Sequence, residues 1–214
     1  MKHLSCAALI IALTGCALRS AASQNVAQEV AAVAADGDII LHKSQSDQAA
    51  ALRAATGSAY THVGLLFTRD DELQVLEAVE PVRWTPLDDW IERGQDRHVV
   101  VLRAPALSPD QVSAVRARAE AYIGASYDLL FEWSDDRIYC SELVYKAFEG
   151  AELEIGATET FGDLALNSAD VRRLIDARTD GGIDLTEPVV TPVSVLNDDD
   201  LVTVFTNDPN VSSC

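Results

Sequence analysis

At 214 residues, 48% of them apolar, the chain is long enough for one domain with a full core, and it contains no internal repeat. Its 34 acidic residues against 16 basic ones give a formal charge of −18, a surface that repels nucleic acid and anionic headgroups. The histidines, His3, His42, His62 and His98, show no HExxH or paired Cys/His spacing, so the pattern supports neither a metal site nor a cofactor.

Met1-Lys2-His3 is a short basic start, followed by an apolar run from Leu4 to Leu13 and then Leu13-Thr14-Gly15-Cys16. This is the pattern of a bacterial lipoprotein signal. The run is too short to span a bilayer, so residues 1–15 are expected to be a cleaved signal and Cys16 the lipidated residue. The product would be an envelope protein held on the periplasmic face of a membrane by its lipid, with Ala17, rather than Asp, pointing to the outer membrane. Residues 16–36, rich in Ala, Ser and Gln, read as a tether or a loosely docked helix. With Cys6 removed and Cys16 acylated, only Cys140 and Cys214 remain as thiols, which is no disulfide framework. A Cys140–Cys214 bridge is the rival to a free Cys140. The free thiol is expected, because Cys214 lies on a polar tail, 206–214, with nothing to hold it.

The folded domain is expected over 37–205. Gly37 to Leu41 reads as a strand and Ser46 to Ala55 as a helix ending at Gly57. Thr61–Thr68 and Leu73–Val79 read as an antiparallel hairpin around Arg69-Asp70-Asp71-Glu72. A loop of two or four residues makes His62 and Glu77 diagonal neighbours on one face, with Gly64 leaving room between them; a three-residue loop would separate them. Glu77 stands alone in an apolar strand, so its carboxylate needs a partner, and His62 is the nearest. Pro86–Ile91 reads as a short helix and Val99–Leu102 as a strand. Ser108-Pro109-Asp110-Gln111 is a capping box for a helix that stops at Gly124. Further helical pattern covers Ser168–Ala177, and Pro188–Phe205 has strand-like ends.

From Cys140 the apolar residues Leu143, Val144, Ala147 and Phe148 follow the stripe of a helix with one buried face. Asp135 or Asp136 would cap it, Glu142 and Lys146 would pair on its wet face, and Gly150 would end it in a left-handed residue. A thiol in the first turn lies beside the orphan N–H groups, which favour thiolate and can supply oxyanion donors. Alone, a cysteine on an apolar face is a small hydrophobe. A carboxylate on one nitrogen of His62 would leave the other for that thiol.

The set Gly37-Asp38, Thr61-His62, Leu76-Glu77-Ala78, Tyr127-Asp128, Trp133-Ser134-Asp135-Asp136-Arg137, Tyr139-Cys140-Ser141-Glu142 and Thr191-Pro192 resembles the circularly permuted papain-like amidases of the YiiX/YaeF type. These are similar to NlpC-type cysteine peptidases, and the likeness covers about 37–204. In the permuted order, as here, His and its acidic partner precede Cys. The resemblance implies an α+β papain-like fold, with a small antiparallel sheet packed against the Cys-bearing helix. It also implies Cys140 as nucleophile, His62 as base, Glu77 as its orienting residue, and Tyr127 and Tyr139 as candidates at the oxyanion or substrate site. A cysteine hydrolase acting on an envelope amide, acyl or lipid substrate is the expected function. An acyltransferase on the same fold, or a lipid-anchored binding module with an idle site, stays open, as do the substrate and the oligomeric state.

Overall fold

The computed structural model describes residues 20–105, 107–180 and 182–211. Six strands form one antiparallel sheet: β1 (Ile39–Ser44), β2 (His62–Arg69), β3 (Glu72–Glu77), β4 (Arg83–Pro86), β5 (Gly94–Arg103) and β10 (Val202–Thr206), in the order β10-β5-β1-β2-β3-β4. Two-residue pairings join β6 (Ser126–Tyr127) to β7 (Arg137–Ile138), and a third small ladder joins β8 (Thr158–Thr160) to β9 (Pro188–Val190). The helices are α1 (Ala21–Ala31), α2 (Ala49–Thr56), α3 (Leu87–Glu92), α4 (Pro109–Glu120), α5 (Cys140–Glu149), α6 (Ala169–Arg178) and α7 (Pro192–Leu196). None of the described helices is long and apolar enough to cross a membrane.

Strand alternation divides the sheet into two buried faces. Ile39, Leu41, Val63, Leu65 and Phe67 meet the apolar stripe of α5, where Leu143, Val144, Ala147 and Phe148 are fully buried. On the other face Ile40, Leu66, Val75, Val99 and Val101 pack on Trp90 and Ile91 of α3 and on Val30 of α1. The segment before the sheet is thus a docked helix, capped by Ser20, whose hydroxyl also donates to Glu92 at 2.5 Å.

The β2–β3 register pairs Arg69 with Glu72 and Leu65 with Leu76, so the hairpin loop is Asp70-Asp71. Both loop residues have positive φ, 53° and 62°, as a two-residue loop twisted to match its strands requires. The capping box at Ser108 and Gln111 forms as the sequence predicts, and Gly57 ends α2 at φ 68°.

Three local expectations for α5 fail, each for a physical reason. Asp135 does not cap the helix; its carboxylate accepts from Lys146 at 2.8 Å and from the Tyr122 hydroxyl at 2.7 Å, and it is Glu142 that bonds the Tyr139 N–H at 3.3 Å. Glu142 and Lys146 do pair, at 2.9 Å, but both are buried rather than on a wet face, with the ammonium over the Trp133 ring. Gly150 is right-handed, φ −61°, so left-handed geometry is not why it is glycine. A Cβ there would stand 2.8 Å from Cβ of Arg118, so its role is the close approach of α5 to α4.

The segment after β10, expected as part of a polar tail, is docked as far as 211. Asn207 accepts the Val99 N–H at 2.8 Å, and the buried carboxylate of Asp208 takes the Tyr60 hydroxyl at 2.6 Å and Lys43 at 2.5 Å. Cys214, like Cys6 and Cys16, lies outside the described residues, and Cys140 is a free thiol.

Burial opposes ionisation of Asp208, but its hydrogen bonds from Lys43 and Tyr60 reverse this and hold its pKa well below the ordinary carboxylate value. A depressed native pKa gives stability that is present above the unfolded value of about 3.9 and lost as pH falls through and below it. Asp208→Ala should cost about 3–5 kcal/mol, the usual loss when one partner of a buried charge pair is removed. Urea titrations at pH 7 and pH 3 check it: the gap between wild type and variant should shrink at the lower pH.

Candidate active site

Residues that the sequence places on separate elements meet where β2 and α5 both begin. His62 opens β2 and Glu77 closes β3, both on the sheet face that carries α3; Cys140 opens α5 on the opposite face. Because His62 is at the end of its strand, its ring can reach past the sheet to the thiol. Nε2 of His62 lies 2.6 Å from Oε2 of Glu77, which leaves Nδ1 for Cys140. Gly64 contributes differently from the expected gap for the His–Glu reach: a Cβ there would lie 2.5 Å from the Val75 side chain and 3.1 Å from the Leu76 carbonyl, so the glycine lets β3 lie close.

Glu77 is more deeply held than expected. It is fully buried, and its second oxygen accepts from Thr85 of β4 and from Arg93, which follows α3, each at 2.5 Å. Burial raises its pKa, but the bonds from His62, Arg93 and Thr85 outweigh this and lower it to about 2. Thr85 and Arg93 carry no signal in the sequence, since only the folded sheet and the end of α3 bring them to Glu77.

The electrostatics of the pair run in opposite directions. Burial disfavours the His62 imidazolium, yet hydrogen bonds to Cys140 and Glu77 more than compensate and raise its pKa to about 9. Burial likewise pushes the Cys140 thiol up, while the hydrogen bond and charge of His62, with the N–H groups of Val63 and Ser141, bring it below its ordinary value. The favoured state is a thiolate–imidazolium pair at a helix N-terminus.

Tyr127 stands near the Cys140 sulfur. The β6–β7 pairing sets it opposite Ile138, its N–H donates to Glu80 at 2.8 Å, and its hydroxyl accepts from Gln48 at 3.0 Å and faces Cys140. Burial first, and the Cys140 charge second, raise its pKa well above 10, so it stays a neutral donor. Tyr139 is set differently: its buried hydroxyl accepts the Val190 N–H at 3.1 Å and its ring packs against Phe131, among the walls of the cavity that Cys140 also lines.

Two unlike spaces flank the Cys140–His62 pair: Cys140 lines one and His62 the other. An apolar cavity of about 80 Å³ runs between α2, α6 and β9; Cys140, Leu52, Phe131, Leu174, Ile175 and Val190 are among its walls. The Phe131 wall is built by Asp128, whose buried carboxylate accepts from Leu130 N–H at 2.9 Å and Glu132 N–H at 2.7 Å, bending the loop so that Phe131 takes φ 58°. On the other side is a polar groove lined by His62, Tyr127, Gln48, Ser46, Arg93 and Arg178. The groove and the cavity were not legible in the sequence, because their walls come from segments some 130 residues apart. Among the described residues, no three His, Cys, Asp or Glu side chains converge as metal ligands.

The family model for the permuted papain-like amidase enzymes YaeF/YiiX, C92 family, matches residues 33–205. The uncharacterized protein YiiX of Escherichia coli K12 is 39% identical over 170 residues, 78% of this chain and 84% of that protein. A crystal structure titled as the metalloprotein yiiX of Escherichia coli O157:H7 superposes with a TM-score of 0.78 at 38% identity, covering 81% of this chain and 98% of that one. With the mixed α+β fold and the match spanning the whole sheet and the Cys helix, this chain belongs to the permuted papain-like amidase family of the YaeF/YiiX type.

Proposed function

We propose that this chain is an envelope cysteine hydrolase that forms an acyl-enzyme on Cys140 and draws the acyl group from an amphiphile. The observation that carries the reading is a thiol that lines an apolar cavity, paired with a histidine that is held by a buried carboxylate and lines a polar groove. In the first half-reaction the Cys140 thiolate attacks the carbonyl carbon, and the carbonyl oxygen gains charge facing Tyr127 and the first N–H groups of α5. Collapse breaks the bond to the leaving nitrogen or oxygen, which takes the proton from Nδ1 of His62. In the second, water gives its proton to His62 as it attacks the thioester, and the thiolate leaves. A hydroxyl or amine acceptor in place of water would give an acyltransferase through the same steps. Glu77 stays ionised throughout and stabilises the imidazolium.

An acyl chain fits the apolar cavity, and the leaving group fits the groove. Metal chemistry, suggested by the printed title of the yiiX structure, does not fit the described residues: Nε2 of His62 is occupied by Glu77, and among the described residues no three His, Cys, Asp or Glu side chains converge as ligands. No step is therefore routed through a metal. Localisation rests on the sequence from Met1 to Cys16, with Cys16 as the lipid-bearing residue and the outer membrane as its destination.

Iodoacetamide should label Cys140 well below the free-thiol pKa of about 8.5, and His62→Ala should move the profile up past it, since burial would then be opposed only by the Val63 and Ser141 N–H groups. Identical profiles would falsify the pairing. Turnover should fall about 10²–10⁴-fold in His62→Ala. The alkaline limb of kcat/KM should lie near 9, where the imidazolium loses its proton. In Glu77→Gln it should shift down, because an amide holds the ring without stabilising its charge.

Among N-acyl or O-acyl substrates, kcat/KM should rise roughly fourfold per methylene group until the cavity is full, from about 0.8 kcal/mol per buried CH2. Leu174→Trp should abolish that dependence and spare acetyl substrates; a flat chain-length profile in wild type would remove the acyl reading.

Expressed from its full gene, the protein should fractionate with membranes and carry its lipid on Cys16, and Cys16→Ser should release it to the soluble fraction. An exported product still beginning at Met1 would overturn the anchor.

A further inference from the structure

Two side chains behind Tyr127 have no role in the steps above. Gln48 precedes α2 and Arg178 is the last residue of α6, and the two helices pack together beside the cavity. Nη2 of Arg178 donates to Oε1 of Gln48 at 2.9 Å, and Nε2 of Gln48 donates to the Tyr127 hydroxyl oxygen at 3.0 Å. Arg178 is itself anchored by a bond from Nη1 to the Leu129 carbonyl at 2.8 Å and lies over the Phe131 ring.

The direction of this chain follows from which groups can donate. A guanidinium has no acceptor, so the Gln48 amide must turn its oxygen toward Arg178. Its NH2 then faces Tyr127, and an NH2 can only donate. The Tyr127 oxygen is thereby engaged as an acceptor, and its single proton has to go elsewhere. The group it meets is Cys140.

We propose that Gln48, held in one orientation by Arg178, is a positioning residue that commits the Tyr127 hydroxyl proton to the Cys140 sulfur and to the oxyanion that forms next to it. A lone tyrosine hydroxyl rotates and would accept from water or substrate as readily as it donates. Oriented in advance, it needs no rearrangement when charge develops, and preorganised donors of this kind are the effective ones. The relay also ties the donor to the substrate cavity, because α6 supplies Arg178 at one end and the cavity walls Leu174 and Ile175 at its centre. The inference rests on Cys140 being the nucleophile, but the hydroxyl-to-sulfur bond can be read without substrate.

The test is a double-mutant cycle on the full chain, with Gln48→Glu and Gln48→Met each made in Tyr127 and in Tyr127→Phe protein. Two readouts are taken: the pH profile of iodoacetamide labelling, and the single-turnover acylation rate with p-nitrophenyl octanoate. The carboxylate of Gln48→Glu can accept from both Arg178 and Tyr127, which turns the hydroxyl proton away from sulfur. In Tyr127 protein it should lower the acylation rate by roughly 10²-fold, the usual loss of one oxyanion donor, and move the labelling profile up. In Tyr127→Phe protein the same change should alter rate and profile far less. Gln48→Met, which adds no charge, should cost several-fold in Tyr127 protein and nothing in Tyr127→Phe. Equal effects of the Gln48 changes in both backgrounds would overturn the relay, showing a charge or packing effect independent of Tyr127, and so would a Gln48→Glu protein that matches wild type. Failure of the nucleophile assignment looks different: wild type would then show neither low-pH labelling nor acylation of Cys140.

Discussion

The site depends on a single buried anion. Glu77 has no exposure, and a carboxylate taken out of water without compensation would protonate rather than stay charged. Three donors from three elements prevent that: His62 from β2, Thr85 from β4 and Arg93 from the end of α3. Each reaches Glu77 only when the sheet has formed in its native register, so the charge that supports His62 exists only in the folded chain. Local folding of β2–β4 and the protonation state of the histidine are thus the same event. The thiol needs the imidazolium, the imidazolium needs the carboxylate, and the carboxylate needs the edge of the sheet.

Much of this was readable in advance because it rests on parity and punctuation. An even-length loop at the charged turn between two apolar runs puts His62 and Glu77 on one face, and the loop that forms is the two-residue Asp70-Asp71. The stripe from Cys140 to Phe148 and the capping box at Ser108 obey equally local rules. What was not readable depends on distant segments. Asp135 is closer in sequence to the start of α5 than Lys146 is to Asp135, yet it pairs with Lys146, because the fold brings Tyr122 and Lys146 to the same spot. Gly150 follows the letter of a left-handed cap while its real constraint is Arg118 on another helix. Asp208 reads as tail and is buried, since Lys43 and Tyr60, from elements far earlier in the chain, await it. The same reasoning explains why Gln48 and Arg178 escaped notice: neither is distinctive alone, and only the packing of α2 on α6 joins them.

The boundary between cavity and groove constrains the chemistry further. The cavity that Cys140 lines has almost wholly apolar walls, and the groove that His62 lines carries arginine, glutamine and serine beside Asp47 and Glu80. A substrate that is polar throughout would leave the apolar side unfilled and gain nothing from it, whereas a wholly apolar one would leave desolvated polar groups in the groove. An acyl group bearing a polar leaving group would satisfy both at once.

One feature of the site would disturb this arrangement if it titrated differently. His42 is buried beside His62, with ring centroids 5.1 Å apart, and both rings contact Trp90. Two imidazolium ions at that separation would repel each other strongly in a poorly screened interior. Burial above all, with the His62 charge adding to it, drives the His42 pKa well below its ordinary value, so the ring stays neutral. It lacks the direct carboxylate bond that lets His62 overcome the same burial. Of two adjacent histidines on neighbouring strands, only the one bonded to Glu77 can hold a proton, and it is the one whose remaining nitrogen faces the thiol. The position of a single carboxylate therefore decides which ring carries the charge, and His42 and Trp90 form an uncharged wall that leaves the imidazolium to interact with Glu77 on one side and the Cys140 sulfur on the other.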